Sequence, residues 1–333
     1  MYHVSASPHV HGPESTKGIM TDVLIAMLPA TIYGVWQFGI SAAIVIVLTI
    51  AAAIAAEYLY EKGMKKPITI SDMSAAVTGL IIALNMPPEI PVWMPILGSI
   101  FAIVVIKQLY GGLGQNWMNP ALGARCFLLL SFTKPMADFT SKTLGFDAVS
   151  SSTPLAAMKA DATSSASTAV EGVVSFAKDS LTSSSLLDLV IGRIPGTIGE
   201  VSVICLLIGA IYLLYRRVIT ITIPLTYIVT FAIFMFIFGA QDPLYVACQV
   251  CAGGLIFGAF FMATDYVTSP ITPKGQIVFG ICLGLLTGIF RVFGSGAEGV
   301  SYAIILCNIL TPLIERATVP VAFGKKKGAS DKK

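Results

Sequence analysis

The sequence predicts an all-α polytopic membrane protein, with about ten transmembrane helices arranged as two inverted five-helix repeats. Three observations carry this. Of 333 residues, 55% are apolar and only 12% charged, where a soluble domain carries about 25% charged residues, and the mean hydropathy is +0.82. Apolar windows long enough to span a bilayer recur along the chain. Segments of the first half are echoed in the second.

The elements follow in order. Met1 to Lys17 is polar and contains His3, His9 and His11. It lacks the apolar core of a secretory signal and reads as a polar tail rather than a metal site. The candidate spans run at about 20–38, 40–60, 72–88, 92–110 and 117–133, then 198–215, 219–239, 244–263, 276–293 and 299–317. Between the two sets lies a polar, Ser/Thr-rich stretch over about 134–185, followed by a short amphipathic piece, Leu186 to Arg193, suited to the membrane interface. The domain division expected is therefore 1–133 (polar tail and first repeat), 134–197 (loop and interfacial segment), 198–317 (second repeat) and 318–333 (basic tail).

Basic residues near span ends set orientation. With a cytoplasmic N-terminus, the inner loops gather Lys62, Lys65, Lys66, Arg216, Arg217, Lys274 and the GKKKGASDKK tail, while the outer connections NMPPEIP and FGAQD carry none. Both termini are then cytoplasmic and the 134–185 loop lies outside. The net charge of +3 is dispersed over these loops, and no nucleic-acid partner is expected.

The internal echo pairs TGLIIALNM (Thr78 to Met86) with GGLIFGAFFM (Gly253 to Met262), and QLYGGLGQNWMNPAL (Gln108 to Leu122) with RVFGSGAEGVSYAII (Arg291 to Ile305). Five spans in each half require the second to run upside down. Inverted repeats place their sites near the midplane, where helices are broken. Asn85-Met-Pro-Pro and Thr264-Asp-Tyr-Val-Thr-Ser-Pro are the expected breaks.

Ionisable groups at membrane depth are costly. Glu57, Lys107, Arg125, Asp265, Glu298 and Glu315 fall near expected span ends, where snorkelling suffices. Asn116 and Asn119, beside flexible glycines, could bind a planar polar heterocycle. For Asn119 the competing explanation is a helix N-cap followed by Pro120 at the first helical position. The six cysteines all lie in apolar segments and read as small hydrophobes. Cys248 and Cys251 form a CxxC, but no second pair accompanies them, and no metal site is expected.

Four stretches together resemble a known family: GGLGQNWMNPALGA (111–124), FDAVSSSTPL (146–155), GAFFMATDYVTSPITPKGQ (258–276) and AEGVSYAIILCNILTPLIE (297–315). This is the RnfD/NqrB family. It comprises the D-type subunits of the Rnf ion-translocating electron-transfer complexes and their relatives, the B-type subunits of the sodium-pumping NADH:quinone reductases. The resemblance implies a fold like that of urea transporters. It also implies FMN joined by a phosphoester to a threonine, attached by a flavin transferase. Thr153 matches the attachment residue, with Asp147 and Ser150 as motif residues. Ser152 stands where the family more often has alanine. A non-covalent riboflavin occurs in some members, for which Asn116 and Asn119 are the candidate contacts.

The chain has no nucleotide-binding glycine loop and no iron–sulfur ligand set. The resemblance therefore implies other membrane and peripheral Rnf subunits as partners, a place in a bacterial inner-membrane lipid bilayer, and electron flow coupled to Na+ or H+ movement. The alternative is a urea- or ammonium-type channel with no redox role. The SSST loop (Ser150 to Thr153) discriminates, because a simple pore has no need of it.

Overall fold

The computed structural model describes residues 15–141, 149–150, 155, 183–192, 194–200, 202–239, 242–294 and 299–320. The first half begins with α1 (Thr16–Phe38) and α2 (Ile40–Gly63), joined at Gly39 with φ 75°. A 3-10 turn (Ile70–Asp72) leads into α3 (Ser74–Leu84). Next, α4 (Trp93–Ile100) runs on as a π-helical stretch (Phe101–Gln108) before α5 (Pro120–Ser131) and the one-turn α6 (Thr133–Met136). Two two-residue strands, β1 (Thr140–Ser141) and β2 (Val149–Ser150), pair antiparallel. The interfacial piece expected near Leu186 is α7 (Ser183–Ile191).

The second half holds α8 (Val203–Tyr215), α9 (Thr222–Phe238) and α10 (Pro243–Cys251), then α11 (Leu255–Phe257), which continues as a π-helical stretch (Gly258–Met262). It closes with α12 (Pro273–Phe293) and α13 (Val300–Thr318). Each of the ten expected spans thus meets a helical element. Only α1, α2, α12 and α13 are individually long and apolar enough to cross a membrane, while α10 and α11 form a pair bent by 63°. The rest are shorter: the 11 residues of α3 reach roughly 17 Å at 1.5 Å per residue, about half the hydrocarbon core.

The same neighbours recur in both halves. α2 packs on α3 and α4, as α9 packs on α10 and α12; α4 meets α5 as α12 meets α13; α1 meets α3 as α8 meets α11. Between halves, α1 packs on α8 and α5 on α13, each helix against its own counterpart. This is the pattern a five-plus-five repeat requires.

Small residues permit the close crossings, as is usual where lipid removes the hydrophobic drive between helices. A Cβ at Gly209 of α8 would strike the Ala26 carbonyl of α1. At Gly284 of α12 it would come within 2.9 Å of the Tyr227 carbonyl of α9. Large apolar side chains such as Ile32, Ile40, Ile211 and Leu313 remain exposed on the outer faces, a surface suited to acyl chains.

The helical run of α11 ends at Met262, at the Thr264–Pro270 break expected, and the second half carries a further sharp bend at Ala252–Gly254, between α10 and α11. One expectation needs correction: Glu57, Lys107 and Arg125 do not snorkel. They are 0%, 2% and 4% exposed and pair inward with groups on neighbouring elements. Glu298 lies outside the described residues.

Candidate functional site

A cavity of about 320 Å³ lies between the two halves, at the end of the bundle where the basic loops emerge. Its polar wall comes from Ser74 and Thr78 of α3, Lys107, Asn116 and Asn119 of the loop into α5, and Thr264 to Tyr266 after α11. Val77, Ile81, Phe260 and Phe261 supply the apolar surface.

Both π-helical stretches contribute to this wall. Their i→i+5 bonds are explicit: Leu109 N donates to Val104 O at 3.0 Å, and Ala263 N to Gly258 O at 2.8 Å. The wide turn rotates side chains off the regular helical face, and such turns concentrate at functional sites. Beyond the first stretch, Gly111, Gly112 and Gly114 all take positive φ (126°, 99° and 88°). This turn folds the chain back so that Asn116 reaches the cavity.

The two asparagines have different duties. Asn119 is the N-cap of α5: its side chain accepts from Ala121 N at 3.0 Å and Leu122 N at 3.4 Å. Its Nδ2 also donates to Met262 O at 3.4 Å, tying the two halves together. Asn116 donates to Met118 O at 3.0 Å, and among the described residues nothing bonds its Oδ1. Asn116 is thus the better placed to contact a ligand, while Asn119 mainly holds the wall.

Behind Lys107 lies a buried polar network. Lys107 Nζ donates to Glu57 Oε1 and to Ser74 Oγ, both at 2.6 Å. Ser74 Oγ in turn donates to Asp72 Oδ1 at 2.7 Å. Gln108 Nε2 bridges Glu57 Oε1 at 2.9 Å and Glu61 Oε1 at 3.3 Å. Sequence reading missed this network. Its one visible signal is Glu57 and Glu61, four apart on an otherwise apolar helix, hence on one face.

Asp265, half-buried in the loop after α11, faces the cavity. Burial pushes its carboxyl above the usual range, partly offset by hydrogen bonds from Val267 N and Thr268 Oγ1.

Outside the cavity lining, two buried arginines hold the chain around the bend between α10 and α11. Arg125 donates to Asn85 Oδ1 at 2.6 Å and to Glu200 Oε1 at 3.2 Å. Arg291 Nη2 donates to the carbonyls of Ala252 at 2.9 Å and Gly253 at 3.1 Å. Leu155, 4% exposed, lies against Gly253, where a Cβ would fall 2.6 Å from its Cδ2 and 3.0 Å from Arg291 Nη2.

Of the flavin-attachment motif, Asp147 and Thr153 lie outside the described residues, and Ser150 is described only as backbone in β2. Among the described residues no group of three or more His, Cys, Asp or Glu could hold a metal. Cys248 and Cys251 lie at the end of α10, both as free thiols.

The model of the NQR2, RnfD, RnfE family matches residues 3–324. The chain is 44% identical over 326 residues to the D subunit of the Na+-translocating ferredoxin:NAD+ oxidoreductase complex of Acetobacterium woodii, covering 97% of this chain and 96% of that protein. It is 41% identical over 331 residues to the D subunit of the proton-translocating ferredoxin:NAD+ oxidoreductase complex of Clostridium ljungdahlii, covering 98% and 97%. To the D subunit of the ion-translocating oxidoreductase complex of Escherichia coli K12 it is 32% identical over 364 residues, covering 98% and 100%.

Proposed function

Because this chain belongs to the NQR2, RnfD, RnfE family, we propose that it is the D-type membrane subunit of an ion-translocating ferredoxin:NAD+ oxidoreductase complex. It works as one part of that oxidoreductase, carrying electrons between partner subunits while Na+ or H+ crosses the membrane. The two most similar relatives named above carry sodium- and proton-translocating names at 44% and 41% identity, so overall similarity does not select the ion.

The observation that carries a flavin role is the cavity between the halves. At about 320 Å³, it falls within the range of small-molecule sites, which join an apolar lining to a few convergent polar groups. Non-covalent riboflavin fits its donor set. Asn116 and Lys107 would meet the polar edge of the ring system, and Phe260 and Phe261 its faces. A flavin bound there supplies one-electron chemistry. The protein positions it, screens it from water with α3 and the π-helical stretch of α11, and sets the charge around it through Lys107 and Asp265.

The second flavin in this reading is FMN, joined to Thr153 by a phosphoester that a flavin transferase makes, with Asp147 and Ser150 as the motif it recognises. Leu155, two positions after Thr153, is buried against Gly253. That gives the tether a fixed root on the second half, away from the cavity. In this reading the protein lies in the inner membrane with both termini cytoplasmic, and the two flavins face opposite sides.

The experiment is a denaturing gel viewed under ultraviolet light, with the protein made alongside a flavin transferase. A fluorescent band that vanishes in Thr153→Val is expected. A dark wild-type band removes the covalent FMN. A band kept in Thr153→Val but lost in Ser152→Ala moves the attachment by one residue.

A further inference from the structure

Outside the cavity, on the same end of the bundle, a surface cleft of about 510 Å³ is lined by Glu61, Lys66, Thr69, Asp72 and Gln108. Asp72 lines this cleft but not the cavity, Lys107 lines the cavity but not the cleft, and Ser74 lines the cavity between them. The three are joined without a gap: Lys107 Nζ to Ser74 Oγ is 2.6 Å, and Ser74 Oγ to Asp72 Oδ1 is 2.7 Å. Every group in this chain can both give and take a proton, which a bridging amide such as Gln108 cannot readily do.

We propose that Asp72, Ser74 and Lys107 form a proton relay from the surface cleft into the cavity, with Lys107 as the donor at the cavity wall and Glu57 as its buried counter-ion. The proposal rests on the reading that the cavity takes a flavin or a similar electron-accepting heterocycle. For each electron that this ligand accepts from a one-electron carrier on a partner subunit, of flavin or iron–sulfur class, one N–H bond of Lys107 breaks and the proton passes to the ligand. The Lys107 amine then takes the Ser74 hydroxyl proton as Ser74 takes one from the Asp72 carboxyl. A water in the cleft gives Asp72 the proton it passes on and leaves hydroxide to the bulk, where uptake is read. One proton thus follows one electron, and no net charge is left in the low-dielectric wall.

Two observations separate this from a structural salt bridge. A buried carboxylate kept only for stability has its lone pairs satisfied, yet among the described residues nothing bonds Glu57 Oε2. Asp72 Oδ1 also accepts from Ser74 N, at the first residue of α3, at 2.8 Å, a task that does not need the Ser74 hydroxyl. The other titratable groups around the relay are Glu61 and Lys66 on the cleft side and Asp265 and Tyr266 across the cavity. None of them bonds Lys107 or Ser74 among the described residues.

The test uses the whole purified complex that contains this chain. Non-covalent flavin is extracted and counted, and proton uptake is followed with a pH-indicator dye after flash photoreduction. Ser74→Ala keeps the backbone donor and loses the hydroxyl. Asp72→Asn keeps the acceptor and cannot carry a proton. Both are expected to slow proton uptake per extractable non-covalent flavin at least about tenfold, and Ser74→Thr to restore the wild-type rate. Wild-type uptake rates in Ser74→Ala and Asp72→Asn with flavin bound overturn the relay and leave the flavin reading standing. Wild-type complex without extractable non-covalent flavin removes the flavin reading, and the uptake rates after photoreduction still decide the relay.

Discussion

Lys107 Nζ stands 2.6 Å from Glu57 Oε1, and the two side chains are 3% and 0% exposed. The charges sit on helices 50 residues apart in sequence, so the pair fixes the C-terminal end of α2 against the π-helical stretch after α4. Desolvation makes such a pair a poor source of net stability, but breaking it leaves one charge buried alone, at a cost of about 3–5 kcal/mol. Glu57→Ala and Lys107→Met are each expected to lower the thermal midpoint of the detergent-solubilised protein strongly. The double variant Glu57→Leu/Lys107→Met should recover much of the loss. Additive losses in the double variant would show that the two groups do not act as a pair.

The two asparagines of the cavity should separate by readout. Asn119→Ala removes the cap of α5 and its tie to Met262, and an N-cap is worth about 0.5–2 kcal/mol. Its main effect is a lower melting temperature, relieved by Asn119→Ser. Asn116→Ala breaks only its bond to Met118 O among the described residues and should leave stability nearly unchanged while lowering extractable non-covalent flavin severalfold. Full flavin content in Asn116→Ala would mean that this side chain is not a ligand contact.

These differences trace what the sequence could and could not convey. Apolar run length located a helix in each of the ten expected segments, since hydropathy needs no partner. Asn119-Pro120 was legible as a cap because the signal is local. α3 stops at Leu84, with Asn85 as its C-cap and Pro87-Pro88 just beyond, which proline chemistry anticipates. The π-helical stretches carry no composition signal, because an i→i+5 bond uses the same apolar residues as an α-helix. Glu57, Lys107 and Arg125 read as snorkelling because distance from a span end is a one-dimensional measure. Whether a charge points to lipid headgroups or to a partner depends on helix rotation. The bend at Ala252–Gly254 was hidden among small residues of a continuous apolar run.

Asp265 gives the cavity a pH signature. Burial raises its carboxyl above the ordinary aspartate range, so the folded protein binds this proton more tightly than the unfolded chain. The associated stability is fully present below the unfolded pKa and is lost as pH rises through the raised folded pKa. Above that raised folded pKa the wild type carries an ionised, poorly solvated carboxylate. Asp265→Asn, which cannot ionise, should be the more stable protein there, with the difference shrinking as pH falls and Asp265 protonates. Thermal melts of both proteins across this range check it. An Asn variant less stable at the high-pH end of the range, with the gap closing as pH falls, would reverse the assigned direction.

Gly253 gives Leu155 its seat on the bundle. Its φ of 67° is left-handed, and a Cβ there would sit 2.6 Å from Leu155 Cδ2 and 3.0 Å from Arg291 Nη2. Gly253→Ala therefore meets backbone strain and displaces either Leu155 or the arginine that braces the bend, an overpacking cost of about 1–3 kcal/mol. Leu155→Ala instead empties the same seat without touching Arg291 or the backbone at the bend. If a seated Leu155 presents the neighbouring threonine to the flavin transferase, both variants should give a dimmer fluorescent band per unit of protein on the denaturing gel, although Thr153 is intact. Arg291 separates the two routes. A dim band in Gly253→Ala alone assigns the effect to the brace at the bend, and a dim band in both assigns it to the Leu155 seat. Wild-type fluorescence in both shows that flavin attachment is indifferent to where the chain is anchored two residues downstream.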